Sequence, residues 1–157
     1  MKTIEIKTEI KSYNYNELTE TDRQLVDMAR EATSRSYAPY SHFRVGAAIL
    51  LSNGEIITGA NQENAAYPSG TCAERSAAFY AHARYPEARF EAIAIAAVDT
   101  TGHETCSPVA PCGACRQALL EYETLAGKGI KVLLVGAECI YELKSINALL
   151  PLAFSEF

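Results

Sequence analysis

The chain has 157 residues, of which 48% are hydrophobic and 21% are charged, and its formal net charge at pH 7 is -5. This size and composition are typical of one globular domain whose core needs no disulfides. The negative charge disfavours a nucleic-acid backbone as partner, and no apolar run approaches the roughly 18 residues of a membrane span. Five cysteines and an N-terminus without an apolar signal region predict a cytoplasmic protein with reduced thiols.

The first predicted elements are a strand, a linker and a helix. Isoleucines alternate with charged residues at 3–9, which predicts a short strand at a sheet edge. The polar, tyrosine-rich stretch 12–16 is predicted to be a linker. A helix is expected from about 19 to 34, because acidic residues occupy its first turn and apolar residues recur at helical spacing.

The rest of the chain predicts a hairpin followed by alternating helices and strands. Asn53-Gly54 is a strong signal for a hairpin turn. Two further helices are expected to begin at Cys72 and at Pro111. This order predicts one α/β sheet with helices on both faces. The predicted strands are 43–51, 55–59, 90–98 and 130–135.

Three cysteines stand in two short motifs that have the spacing of a metal site. Cys72 lies at one predicted helix start, and Cys112 and Cys115 form a Cys-x-x-Cys pair at another. Thiolates are favoured at helix N-termini, and two intervening residues let both thiols of the pair reach one ion. The pattern predicts one zinc ion per chain, with three protein ligands and a fourth position left to water, as in catalytic sites.

Glu74 favours a catalytic zinc site over a structural one. It follows Cys72 by two residues, so it would lie beside the metal and act on water without being a ligand. The motifs Cys72-Ala73-Glu74 and Pro111-Cys112-Gly113-Ala114-Cys115 fit the three-cysteine form of the zinc deaminase signature, in which the glutamate transfers protons. Two alternatives stay open: Glu74 could merely complement a helix dipole, and Cys106 could be a fourth ligand of a structural zinc.

Two arginines adjoin the motifs. Arg75 and Arg116 are candidates to donate hydrogen bonds to sulfur, which would offset the negative charge of three thiolates on one ion. We favour Arg75 for this role. The alternative for both is an ordinary surface arginine.

Over roughly residues 20–154 the chain resembles the homotetrameric, zinc-dependent cytidine deaminase family. The resemblance implies a three-layer α-β-α fold with a mixed sheet of about five strands. It also implies a catalytic domain at 19–157 after an extension, 1–18, that has no counterpart and no assigned role. The motifs that carry the resemblance are Phe43-Arg44-Val45-Gly46-Ala47-Ala48, Asn61-Gln62-Glu63-Asn64-Ala65-Ala66-Tyr67-Pro68, Cys72-Ala73-Glu74-Arg75, Pro111-Cys112-Gly113-Ala114-Cys115-Arg116-Gln117 and Leu149-Leu150-Pro151-Leu152-Ala153-Phe154.

The activity implied by the resemblance is hydrolytic deamination of cytidine and deoxycytidine to uridine and deoxyuridine plus ammonia, in pyrimidine salvage. Zinc would be bound by the three cysteines, and Glu74 would be the proton shuttle. Arg75 and Gln117 would support the site. The residues implied to contact the nucleoside or a neighbouring subunit's pocket are Phe43 (pyrimidine), Asn61 and Glu63 (sugar hydroxyls), Ala73 (base edge, through its backbone), and Tyr67 and Phe154 (neighbouring subunit).

Other interpretations of these residues stay open. Without the resemblance, Asn61 and Glu63 could be ordinary polar loop residues, and Phe43 and Phe154 could be packing residues. A carboxylate at the sugar would repel phosphate and so favour nucleosides over nucleotides. Two other functions are a deaminase of a modified cytosine nucleoside, similar to blasticidin-S deaminases, and a non-enzymatic structural zinc module that binds RNA or protein. The acidic composition counts against RNA binding.

Overall fold

A computed structural model describes residues 1–155, which form a six-stranded sheet between two layers of helices. The predicted three-layer α/β fold is confirmed, with six strands instead of about five. None of the described helices has the length and apolar character that a membrane crossing requires. The helices are α1 (Glu20–Ala32), α2 (Ala73–Arg84) and α3 (Gly113–Ala126). The strands are β1 (Lys11–Tyr13), β2 (Arg44–Leu51), β3 (Ile56–Ala60), β4 (Phe90–Val98), β5 (Lys131–Val135) and β6 (Ile140–Leu143).

The sheet is mixed, with the strand order β1-β6-β5-β4-β2-β3. Among the described strands, β4 and β5 pair in parallel and all other neighbours pair antiparallel. The parallel pair is central, and the chain passes from β4 to β5 through α3. A parallel connection of this kind needs a crossover, which the helix provides.

Strand β4 separates two hydrophobic cores, because successive side chains of a strand point to opposite faces. Ile93 and Ile95 pack with α2 and α3, whereas Ala94 and Ala96 pack with α1. The two helices whose N-termini carry the cysteines therefore lie side by side on one face of the sheet.

Helix α2 is pressed against β3 at Gly59. A Cβ atom added to Gly59 would lie 2.5 Å from the backbone nitrogen of Ala77 and 2.6 Å from the carbonyl oxygen of Ala73. No side chain can occupy that space without moving backbone. The absence of a side chain at Gly59 thus sets how closely the N-terminal half of α2 approaches the sheet.

Helix α3 is fixed by a buried carboxylate, Glu123, near its C-terminal end. Its oxygens accept hydrogen bonds from the backbone N–H groups of Ile130 (2.9 Å), Ile146 (2.6 Å) and Asn147 (3.1 Å). Ile130 immediately precedes β5, and the other two residues follow β6. A buried polar group is stable only when it is hydrogen-bonded, and here three backbone donors satisfy the Glu123 oxygens.

The prediction of a strand at 3–9 is wrong, and so is that of a linker at 12–16. Residues 1–10 belong to no helix or strand, and β1 instead spans Lys11–Tyr13 and pairs with β6. Strand β6 is only four residues long, which limits how much of the extension can pair with it. Tyr13 also packs against the core beneath α1, which anchors the strand at that point.

The close packing at Gly59 yields a stability prediction. Gly59→Ala is expected to lower the free energy of unfolding by about 2 kcal/mol or more, because the added methyl group must displace the backbone of α2. Urea denaturation of the purified protein measures the change. Gly113→Ala is the matched control, since a Cβ atom there has no other atom within 4 Å. Equal stability of the two variants would contradict this account of the packing.

Candidate metal centre and active site

The N-termini of α2 and α3 meet at the three predicted cysteine ligands. Cys72 is the N-cap residue of α2, Cys112 is the N-cap residue of α3, and Cys115 lies in the first turn of α3. Their sulfur atoms all lie within 4.8 Å of one another, and those of Cys72 and Cys112 are 4.0 Å apart. Tetrahedral zinc with Zn–S bonds of about 2.3 Å separates its sulfur ligands by about 3.8 Å. The three thiols therefore fit a zinc ion.

Protons are shared unequally in this cluster when no metal is bound. A hydrogen bond from the Cys115 thiol is the main cause that lowers the pKa of Cys72 to about 5, and Arg75 adds to it. The pKa of Cys115 is raised, because its thiol donates to Cys72 and because it is buried. Metal binding must then release the proton of Cys115.

Arg75 lies where a sulfur donor was predicted, and Arg116 does not. Nη2 of Arg75 is 3.9 Å from Sγ of Cys72. Arg116 instead donates to the carbonyl oxygens of Pro111 (2.8 Å) and Leu149 (2.7 Å). Its guanidinium group turns back along the start of α3 toward two carbonyl groups. Of the two candidate sulfur donors, the favoured Arg75 therefore contacts sulfur, whereas Arg116 fixes the entry to α3.

Glu74 is the second residue of α2 and is buried beside the cysteines, with 4% of its surface exposed. Burial is the main cause that raises the pKa of its carboxyl group, and the nearby charge of Cys72 raises it further. A carboxylate whose pKa is raised can both take up and release a proton closer to neutral pH. Glu74 is not one of the three clustered metal-binding side chains.

A cavity of about 250 Å³ opens next to the cysteine cluster. It brings together four of the predicted site residues and one supporting residue, although 61–67 and 72–75 belong to different segments. The predicted residues that do not line this cavity are Phe43, Ala73, Glu74, Cys112, Cys115, Gln117 and Phe154. The predicted residues that do line it are Asn61, Glu63, Tyr67, Cys72 and Arg75.

The side chain of Asn61 holds the segment that leads into β2. Its Oδ1 atom accepts hydrogen bonds from Oγ of Ser36 (2.5 Å) and from the backbone N–H of Val45 (2.7 Å). Its Nδ2 atom donates to the carbonyl oxygen of Phe43 (3.0 Å). Asn61 thus fixes the backbone around Phe43 and keeps one amide N–H for another acceptor.

Glu63 holds the neighbouring turn in the same way. Its carboxylate accepts hydrogen bonds from the backbone N–H groups of Tyr40 (2.9 Å) and Ser41 (3.2 Å), and also from the Ser41 hydroxyl. The hydrogen bond from that hydroxyl is the main cause that lowers the pKa of Glu63. The group is therefore ionised at neutral pH.

Sequence reasoning missed the two serines that complete this arrangement. Ser36 and Ser41 lie 25 and 22 residues from the side chains they bind. No local pattern signals such a distant contact, and serines are common in loops. The one available signal is general: a loop residue that binds a ligand must itself be held in place. This predicts that Asn61 and Glu63 have hydrogen-bond partners, but it does not say which residues those are.

Two of the predicted site residues point outward. Tyr67 has 77% of its surface exposed and Phe154 has 67%. Gln117 donates from Nε2 to the carbonyl oxygen of Phe154 (2.8 Å), so the C-terminal tail is attached to α3. Phe43 is half-buried, and Ala73 is completely buried at the start of α2.

The family model for the cytidine and deoxycytidylate deaminase zinc-binding region matches residues 19–126, which include every residue of the cysteine cluster and Glu74. The chain belongs to this family. Its members are zinc-dependent hydrolases, and Cys72, Cys112 and Cys115 are positioned to hold the metal ion.

Individual relatives support the same membership. The chain is 44% identical over 135 residues to a cytidine deaminase of Halalkalibacterium halodurans, which covers 85% of this chain and 95% of the relative. A cytidine deaminase of Sporosarcina psychrophila is 40% identical over 133 residues, with 85% and 90% covered. The crystal structure of cytidine deaminase from Burkholderia pseudomallei superimposes with a TM-score of 0.71 at 38% identity, and it covers 87% of this chain and 100% of that one.

The unequal pKa values of the thiols can be tested by alkylation. In the metal-free protein at about pH 6.5, iodoacetamide should modify Cys72 at least about tenfold faster than Cys115, because thiolate is the reactive form. The pKa of Cys72 is lowered to about 5, whereas that of Cys115 is raised. Mass spectrometry of the peptides measures both rates.

The exposed Cys106 serves as the internal reference for reagent access. Addition of one equivalent of zinc should protect Cys72, since the sulfur is then a ligand. Equal modification of Cys72 and Cys115 in the metal-free protein would contradict the assignment of the thiolate to Cys72.

Proposed function

We propose that this protein hydrolytically deaminates cytidine and deoxycytidine to uridine and deoxyuridine with release of ammonia, in pyrimidine salvage. The observation that carries the proposal is the buried carboxylate of Glu74 beside three sulfur atoms arranged for zinc. A structural site would have no use for a buried acid whose pKa is raised. The proteins called cytidine deaminase that match most of this chain support the substrate class. The catalytic domain in this proposal is 19–157.

Zinc, when bound, supplies Lewis acidity and makes water nucleophilic at neutral pH. The protein's contribution to chemistry is the proton transfer by Glu74. Its carboxylate takes the proton that water loses on attack at C4 of the cytosine ring, and delivers it to ring nitrogen N3. It then transfers the second proton to the amino group, which leaves as ammonia. Because burial raises the pKa of Glu74, one carboxyl group can act as base and as acid in turn.

The sugar and the base are bound, in this proposal, by two connected parts of the site. Asn61 offers its remaining amide N–H and Glu63 its carboxylate to the sugar hydroxyls. Phe43 packs on the pyrimidine, and the backbone at Ala73 contacts the base edge. Asn61 already binds the carbonyl oxygen of Phe43, so the two parts are held in register by one hydrogen bond. Arg75 supports the site through Cys72, and Gln117 supports it through the C-terminal tail.

We further propose a homotetramer in which each active site is completed by a neighbour. Tyr67 and Phe154 are exposed in the single chain, as residues that reach another subunit's pocket would be. Helix α2 adds Phe79 and Tyr80, which are 51% and 58% exposed. Exposed aromatic side chains on the helix that carries the site mark a protein interface. Free cysteines throughout the described chain suit the reducing cytoplasm, where we place the protein.

The role of Glu74 can be separated from that of the metal ligands. Glu74→Gln is expected to lower kcat for cytidine by about 10³-fold or more, because the amide cannot shuttle protons, while zinc content stays at one ion per chain. The measurement combines conversion of cytidine to uridine with metal analysis. Cys112→Ser should instead lose both zinc and activity. A zinc-loaded wild-type protein that left cytidine and deoxycytidine unchanged would disprove the proposed function.

The charge of Glu63 should govern discrimination against phosphates. Glu63→Gln is expected to lower kcat/KM for cytidine roughly 10- to 100-fold, since a charge-assisted hydrogen bond is lost. The ratio of kcat/KM for cytidine to that for cytidine 5′-monophosphate should fall as well, because repulsion of the phosphate is removed. Glu55→Gln removes the same charge at an exposed turn and is the matched control. An unchanged ratio in Glu63→Gln would show that the carboxylate does not face the sugar.

A further inference from the structure

Residues 5–11 form a self-complementary segment. Their sequence is Glu-Ile-Lys-Thr-Glu-Ile-Lys, so the same triplet stands on both sides of Thr8. When two such segments lie antiparallel with Thr8 at the centre, every glutamate faces a lysine and every isoleucine faces an isoleucine. The opposed residues of the two chains are then Glu5 and Lys11, Ile6 and Ile10, Lys7 and Glu9, and Thr8 and Thr8.

The single chain leaves this segment available for pairing. Residues 1–10 are all exposed, and Ile6 and Ile10 keep 54% and 53% of their surfaces in solvent. Within 1–155, no backbone-to-backbone hydrogen bond involves these residues. They lead into β1, which is one of the two edge strands of the sheet. Unpaired backbone at a sheet edge is a template for another strand.

Side-chain contacts hold the segment along its own sheet. Thr8 donates from Oγ1 to the carbonyl oxygen of Ala148 (3.0 Å), and Glu9 and Lys11 form ion pairs of 3.7 Å with Lys144 and Glu142. The Glu9–Lys144 pair is exposed and the Lys11–Glu142 pair is partly exposed, so neither contributes much on its own and both can be exchanged. These contacts keep the segment beside β6 while its backbone groups stay unpaired.

We propose that residues 5–11 pair antiparallel with the same residues of a second copy of this chain, across a twofold axis at Thr8. The occupant is another copy because the segment is complementary to itself: over all seven residues, every charge faces an opposite charge in this arrangement. A closed twofold contact likewise uses the same surface on both subunits. Opposite charges and paired aliphatic side chains directly across two strands are both favourable. The segment lies outside 19–126, the range matched by the family model, so this contact adds to the family fold.

A disulfide at the twofold axis tests the register. Opposed residues of antiparallel strands have Cα atoms about 4.5–5.5 Å apart, which a disulfide can span. In a Cys106→Ser background, Thr8→Cys should therefore cross-link two full-length chains at least about tenfold faster than Lys7→Cys under mild oxidation. The two Lys7 positions would be about 8 Å apart, which is too far for a disulfide. Equal rates for the two variants would overturn the proposal.

Exchange of charges provides a second test. Recovery of cross-linking when two charge variants are mixed distinguishes lost pairing from damage to the local structure. The pair Glu5→Lys and Glu9→Lys makes the segment uniformly positive, and the pair Lys7→Glu and Lys11→Glu makes it uniformly negative. Each set, combined with Thr8→Cys, should slow cross-linking about tenfold or more, and an equimolar mixture of the two should restore it as a mixed dimer. Wild-type rates in the separate variants would show that the segment is a solvated tail. Neither test depends on substrate or turnover, so failure of the proposed activity would leave both results intact.

Discussion

The convergence of two helix N-termini on three sulfur atoms is the constraint on which the site depends. Each terminus presents unpaired N–H groups and the positive end of a dipole, which stabilises thiolate. This geometry requires that α2 and α3 lie side by side on one face of the sheet. A different kind of contact fixes the position of each helix. Gly59 lets the backbone of α2 approach β3 closely. The Glu123 side chain attaches α3 to Ile130, before β5, and to Ile146, after β6. These contacts therefore set the distances between the three cysteine sulfur atoms.

A second layer of order surrounds the cavity. Asn61 and Glu63 lie in a loop, yet their side chains bind six backbone or hydroxyl groups from residues 36–45. This arrangement removes freedom from the loop before any ligand arrives, so less entropy is lost on binding. It also makes each residue serve both the loop and the proposed sugar contact. A variant at either position changes both, which is why a ratio between two substrates reports the ligand contact better than one rate does.

The features that the sequence predicts correctly are those set by residues close together in the chain. The cysteine cluster and Glu74 were predictable because each motif lies within a few residues and begins a helix. The three-layer fold followed from the order of the hydrophobic segments. The partners of Asn61 and Glu63 were not predictable, since they come from distant loop residues. Arg116 stands next to a ligand in sequence, but its side chain turns to carbonyl groups. The first strand was predicted at 3–9 because isoleucines alternate with charged residues there. It lies at 11–13 because its neighbour β6 is short, and the alternation pattern carries no information about the length of the neighbouring strand.

The buried carboxylate of Glu123 ties distant parts of the chain into one cooperative unit. Its hydrogen bonds join α3 to the start of β5 and to Ile146 and Asn147, which begin the tail that carries Phe154. Arg116 and Gln117 add two further bonds from the same helix to that tail. Opening the tail would remove two of the three hydrogen-bond donors of the buried Glu123 side chain, so residues 146–154 do not detach from α3 without cost. A force that pulls on the tail is therefore transmitted to α3, whose N-cap residue is Cys112.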